Sequence, residues 1–288
     1  MDSGIKQLAS GRNDKFYVIA FLAVAGVLIF AGRDLVQGAA IVTWGVTFGG
    51  TTAVAVLAAA LYRVRLELQA SRRQLARKEA EVSFAREVQS ALFPRELPRA
   101  CGLEFTAVCI PASGISGDYY DVLELANGRV IFAVADISGK GISAAILMAN
   151  LQAVLRTLAE GDASPREICM RLDRHLHRVT DDSRFATFFL AEWQESNRVL
   201  RYVNAGHNPP LLLGAHDATR LVTGGPPIGL LPDSTFEMGE VLLQQGEMLV
   251  IYSDGITEAE SANGEQFGER RLQQIVEENF SKPLVEIQ

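Results

Sequence analysis

Two long apolar stretches without a charge open the chain, Phe16 to Gly32 and about Gly38 to Tyr62, parted by Arg33-Asp34. Each approaches the roughly 20 residues that cross a bilayer. A cleaved leader would account for the first alone. The second, close behind it, predicts a transmembrane hairpin with spans at about 16–32 and 38–62, so that residues 1–62 form a membrane region. Lys6, Arg12 and Lys15 precede the hairpin and Arg63, Arg65, Arg72, Arg73, Arg77 and Lys78 follow it, while the loop carries a single Arg. The positive-inside rule then puts both ends in the cytoplasm. Gly45, Gly49 and Ala53 recur every four residues in the second span, a spacing that lets helices approach closely.

From Tyr62 to about Phe93 the pattern changes. There is no Gly or Pro, and Arg, Glu, Gln, Ala and Leu dominate, which predicts one long helix. Leu61, Leu68, Leu75 and Val82 fall seven apart, with Val64, Ala85 and Leu92 at intervening core positions, but Ser71 and Lys78 share those positions. Residues 63–98 thus read as a linker, either a dimeric coiled coil that relays a signal or a solvated spacer held near anionic lipid by its arginines. Pro94 and Pro98 end it.

Residues 99–288 have the texture of a folded domain of short strands and grouped helices. Strands are expected at Glu104–Ile110, at the segment after Ser116, at Val130–Ala135, Phe185–Trp193, Val199–Asn204, Pro210–Leu213, Phe236–Leu243 and Met248–Tyr252. The Asn127-Gly128 pair marks a hairpin turn. Helices are expected at Gly141 to about Ala159, after Ser164-Pro165 with Pro at its first position, and at about Glu269–Phe280. Hairpin strands with helices set apart from them predict an α+β fold of two packed sheets with helices outside.

Composition narrows the function classes. With 48% hydrophobic residues the chain can bury a large core, and its net charge of −7 argues against a general nucleic-acid binder. Cys101, Cys109 and Cys169 are too scattered for a disulfide framework or a zinc site.

The chemistry concentrates at strand ends. Val130-Ile-Phe-Ala-Val-Ala135 is a continuous apolar run that ends on Asp136, and Gly139 and Gly141 follow. A bare carboxylate there is costly unless paired or bound to a cation. Met248-Leu-Val-Ile-Tyr252 repeats the design and runs into Ser253-Asp254-Gly255, and Gly117-Asp118 adds a third acid beside a glycine. Hard oxygen ligands without clustered His or Cys point to Mg²⁺ or Mn²⁺, and paired ions of this kind serve phosphoester chemistry. Asp136-Ile-Ser-Gly-Lys-Gly141 fails as a P-loop, because Val134 stands where a Gly is required and Gly141 where Ser or Thr is required. Gly139-Lys-Gly141-Ile-Ser-Ala144 fits GxGxxA, but the acid at the proper distance, Glu160, would follow a helix, and Asp136 would repel a pyrophosphate. His207 reads as a ligand, a general acid or a brace in a tight turn; His175 and His177 read as surface residues.

Several motifs together resemble the metal-dependent protein phosphatases (PPM) in their bacterial SpoIIE/RsbU-type branch. They are Ser116-Gly-Asp-Tyr-Tyr-Asp121, Asp136-Ile-Ser-Gly-Lys-Gly141, Tyr202-Val-Asn-Ala-Gly-His-Asn-Pro-Pro210, Gly225-Pro-Pro-Ile-Gly229 and Tyr252-Ser-Asp-Gly-Ile-Thr-Glu-Ala259, with Glu87-Val-Gln-Ser-Ala-Leu-Phe-Pro94 at the domain entrance. The resemblance covers about residues 84–280. It implies an αββα sandwich and a site with two Mn²⁺ or Mg²⁺ ions. There Asp136 bridges both ions, Asp118 and the Ile137 carbonyl hold one, and Asp254 holds the other. It further implies hydrolysis of phosphoserine or phosphothreonine on a phosphorylated anti-sigma-factor antagonist. The hairpin and the linker pattern, which lie outside the resemblance, add the expectation of a homodimer at the cell inner membrane. One departure stands out: the family's last strand carries an Asp-Asp pair, whereas here the chain ends at Ser281-Lys-Pro-Leu-Val-Glu-Ile-Gln288, which reads as the start of a helix. The expectation is a fold truncated at its C-terminal end, with a weakened phosphatase or a non-catalytic signalling module as the alternatives.

Overall fold

The computed structural model describes residues 19–30, 40–99, 102–111, 114–125, 128–181, 183–214 and 218–288. Lys6, Arg12, Lys15, Arg33, Cys101, Asn127 and the ends of the first apolar stretch lie outside the described residues. The chain divides into two compact units, residues 1–78 and 79–288.

In the first unit the described residues include a short apolar helical stretch, α1 (Ile19–Phe30). The helix α2 (Ala40–Ser90) runs unbroken for 51 residues. Its portion from Thr43 is long and apolar enough to cross a membrane, as is one helix of the second unit, α3 (Ile142–Ala159). The test does not separate them, but packing does: α3 buries six side chains against the domain core, whereas none of the apolar window in α2 is buried.

The second unit is layered. Its larger sheet holds β1 (Tyr119–Glu124), β2 (Arg129–Ile137), β3 (Ala186–Gln194) and β4 (Val199–Ala205) as an antiparallel meander. Two short strands extend it beside β4, β7 (Gly224–Gly225) in parallel and β8 (Gly239–Leu242) antiparallel. The smaller sheet has the order β6 (Ala218–Arg220), β5 (Leu211–Leu213), β9 (Met248–Val250). Strand residues alternate between faces, so β2 sends Ile131, Ala133 and Ala135 one way and Val130 and Phe132 the other. The first set packs with Met148, Leu151 and Leu155 of α3 and Ile168, Leu172 and Leu176 of α4 (Pro165–Val179). The second set meets Leu212, Leu221 and Leu249 from the smaller sheet. Against the outside of the smaller sheet, α6 (Glu269–Asn279) buries Val276 beside Leu211, Leu213 and Tyr252. Each such buried apolar side chain contributes about 1.5–3 kcal/mol. The order helix, sheet, sheet, helix is the sandwich expected from the sequence.

Local signals held well where they were chemical. Ser164 caps α4 through a reciprocal capping box with Glu167, and Pro165 opens the helix. Where burial decides, the structure departs from the sequence reading. No strand forms over 104–110. Leu103 and Phe105 pack between the sheets while Val108 and Ile110 stay exposed, so the apolar residues are used as plugs rather than as a ladder. The helix α2 stops at Ser90, short of Phe93, because Phe93 turns in to pack at 6.4 Å from the Tyr119 ring and 5.2 Å from that of Tyr120. His175 is half-buried and bonds Asn150 Oδ1 through Nε2 at 2.7 Å, tying α4 to α3. Two short helices complete the unit, α5 (Asp254–Thr257) and α7 (Leu284–Ile287).

Candidate active site

Alternation places the acids. On β2, Asp136 shares the parity of Val130 and Phe132 and so faces the smaller sheet; Asp118, the residue just before β1, shares the parity of Val122, which packs on that same side. Asp254 follows β9 at the matching end of the smaller sheet. All three therefore gather at one end of the layer between the sheets. Asp121, the second acid of the Ser116–Asp121 motif, has the opposite parity. It is buried against α3, where Arg156 grips it with two bonds of 2.7 and 3.1 Å and the Tyr119 hydroxyl donates at 2.6 Å.

The Asp118 and Asp136 carboxyls are near neighbours that act on one another's protonation. Burial, then the charges of Asp118 and Asp254, push Asp136 up to about 7. Burial also raises Asp118, and the nearby Asp254 charge adds to this, against the hydrogen bonds from Asp136 and Ser253. Acids held up by burial and by a neighbouring carboxylate in this way are poised to exchange a proton for a cation. Ser253 Oγ donates to Asp118 Oδ2 at 3.3 Å and so reaches across from one sheet to the other. The Asp118 N–H donates to Ser116 Oγ at 2.9 Å. Gly117 is required here: a Cβ would lie 2.9 Å from the Ile137 carbonyl and 3.5 Å from Asp136 Oδ1. Hard carboxylate and carbonyl oxygens of this kind suit Mg²⁺ or Mn²⁺. Among the described residues no three His, Cys, Asp or Glu side chains already stand as a cage; Asp118 and Asp136 are the drawn-together pair, and Asp254, which is exposed, acts on them from the second sheet.

Ser116 is itself held. Gln89, 5% exposed on the last turn of α2, donates to the Ser116 carbonyl at 2.7 Å and accepts from its N–H at 3.0 Å, and Arg86 Nε donates to the Gly114 carbonyl. Gln89, Ser116 and Ser253 lie within the sequence motifs, but the motifs alone assign them no role. The signal available was their adjacency to an acid or a domain entrance. His207 contacts none of the acids: its Nδ1 lies 2.9 Å from Thr187 Oγ1 and its N–H donates to Asn204 Oδ1 at 2.8 Å. Of the three roles open to it, the structure favours the brace.

A mixed-sheet α+β sandwich with acids at one end of its inter-sheet layer is the PP2C-type phosphatase architecture. The SiaA PP2C domain of Pseudomonas aeruginosa superposes with a TM-score of 0.66, at 22% identity, over 74% of this chain and 87% of that one. A family model described as stage II sporulation protein E (SpoIIE) matches residues 126–288. The chain belongs to the SpoIIE family. It is 32% identical over 205 residues to the phosphoserine phosphatase RsbU of Bacillus subtilis, covering 70% of this chain and 60% of that one. It is also 32% identical over 230 residues to the protein IcfG of Synechocystis sp., covering 70% of this chain and 36% of that one. The chain thus spans less than two thirds of the length of either relative.

Proposed function

We propose that this chain is a metal-dependent protein-serine/threonine phosphatase, tethered to the bacterial inner membrane by helices within residues 16–32 and 38–62 and facing the cytoplasm. The observation that carries the reading is the shared rise of Asp118 and Asp136, two half-buried acids at the meeting point of the sheets, with Asp254 adding to both. Asp136, Asp118 and the Ile137 carbonyl would hold one Mn²⁺ or Mg²⁺ ion, and Asp136 with Asp254 a second. Ions bound there supply Lewis acidity and a water of lowered pKa. Asp136 gives up its proton as the site fills. Ser253 keeps the Asp118 carboxylate turned inward, and Gly117 leaves the Ile137 carbonyl uncovered.

RsbU, a phosphoserine phosphatase by name, supports a phosphorylated protein as substrate. In this branch that substrate is a phosphorylated anti-sigma-factor antagonist. Leu61, Leu68 and Leu75 are all more than half exposed along α2, which supports pairing of that helix with a second copy over the linker, 63–98, ahead of the catalytic domain, 99–288. Hydrolysis of a phosphoserine peptide by the detergent-purified chain, with Mn²⁺ and with Asp136→Asn as control, tests the reading. Mn²⁺-dependent turnover that vanishes in the control is expected; turnover indifferent to Asp136 would refute it.

A further inference from the structure

His207 is a buried titratable group that the proposed chemistry does not use. It is 4% exposed, and its Nε2 is fully buried without a hydrogen-bond partner among the described residues. Several contacts fix where it sits. Asn204, buried at the end of β4, takes the His207 N–H on Oδ1, donates through Nδ2 to the Leu221 carbonyl at 3.1 Å, and donates its own N–H to the Thr223 carbonyl at 2.8 Å. Gly206 turns the chain at φ 71°, and a Cβ there would come within 2.6 Å of the Pro227 ring. The imidazole is thus delivered to one place by a loop with little freedom.

That place lies between the two strand ends that carry acids. On one side Nδ1 meets Thr187 Oγ1 at 2.9 Å. Thr187 is the direct cross-strand partner of Asp136, and directly opposed residues of an antiparallel pair project to the same face as near neighbours. On the other side the Tyr252 backbone, two residues before Asp254, lies near the ring without completing a hydrogen bond to it. Burial holds the ring at about 4, so at neutral pH it works through shape and hydrogen bonding and not through charge.

We propose that His207 is a positioning residue of the phosphatase centre, a spacer between Thr187 and the Tyr252 backbone that fixes how far apart Asp136 and Asp254 stand. The inference rests on the metal-site reading above. Residues that orient ligands without touching the ion typically change metal affinity by 10–100-fold, so the readout is Mn²⁺ affinity of the full chain, followed by the electron paramagnetic resonance signal of free Mn²⁺.

His207→Ala is expected to weaken Mn²⁺ binding at least about tenfold. His207→Gln, which keeps a polar group towards Thr187 and much of the ring's bulk, stays within about threefold by the same scale, and the isosteric Thr187→Val falls between the two. The double variant His207→Ala/Thr187→Val is no weaker than His207→Ala alone, because both remove one link. Should His207→Ala not fold, Thr187→Val and His207→Gln decide. Wild-type affinity in Thr187→Val and in any folded His207→Ala overturns the inference, as does a lowered melting temperature without a change in affinity. A wild-type chain that takes up no Mn²⁺, or an Asp136→Asn variant that binds as wild type, overturns the underlying site and the inference with it.

Discussion

Asp136 and Asp254 are introduced by the same local device in the sequence, an apolar run that leads into an acid and a glycine-containing turn, yet the structure treats them differently. The strand before Asp136 has nine residues, ladders on both sides and two covered faces. The strand before Asp254 has three, pairs among the described residues with β5 alone and is half-buried throughout. Asp136 is half-buried and pushed up to about 7; Asp254 is exposed. A carboxylate's chemistry is therefore set less by its motif than by what stands on the two sides of its strand. The rigid end supplies the tuned acid, and the looser end supplies a charge that tunes it.

The largest test of this contrast is substitution at each end. Asp136→Asn is expected to cut Mn²⁺-dependent turnover by more than about 100-fold, beyond the usual cost of losing a group that merely orients a ligand. Asp254→Asn should cost about tenfold and be recovered in part by more Mn²⁺. Equal, unrecoverable losses would erase the distinction. Asp173 sharpens it from another direction. This acid is wholly buried, but it accepts the Gly229 N–H at 2.8 Å and the Ser234 N–H at 3.2 Å and so needs no cation. Asp173→Ala strands two donors and should lower unfolding stability by about 2 kcal/mol, seen in urea melts, with Mn²⁺ affinity unchanged.

Acidity offers a third test. The folded, metal-free domain holds a proton on Asp136 up to about 7, whereas the ordinary value is 3.8. The folded state therefore binds more protons than the unfolded one across that window, and this contribution to stability fades as pH rises through it. Mn²⁺ held by Asp136 would compete with that proton, so the proposed site predicts that Mn²⁺ raises the melting temperature by several degrees at pH 8 and far less at pH 5.5. The difference should vanish in Asp136→Asn. The smallest effect is expected for Ser253→Ala, a two- to threefold rise in the Mn²⁺ needed for half-maximal turnover, since one long hydrogen bond to a charged group is lost.

Much of this was legible in the sequence because it is local. The apolar run into Asp136, the Ser164-Pro165 cap and the Tyr252-Ser-Asp-Gly motif each carry their meaning within a few residues. What escaped depends on distance. No spacing rule links Gln89 to the Ser116 backbone, or Asp173 to Gly229, and nothing around Leu103 or Phe105 says that they plug an inter-sheet layer instead of joining a ladder. Tyr119, Asp121 and Arg156 make the same point: an acid inside a site motif turned out to serve the helix side, which only the parity of a correctly registered strand reveals.

The brevity of β9 has a consequence in time. A strand of three residues with a single neighbour opens more readily than a nine-residue one laddered on both flanks. Its amides should exchange with deuterated solvent long before those of Ile131 or Ala133. One side of the centre can thus be lent to solvent and taken back while the rest of the domain stays folded. On the proposed reading, the end that carries the acids pairs a fixed jaw with a looser one, and whatever steadies the looser jaw sets how long the centre remains assembled.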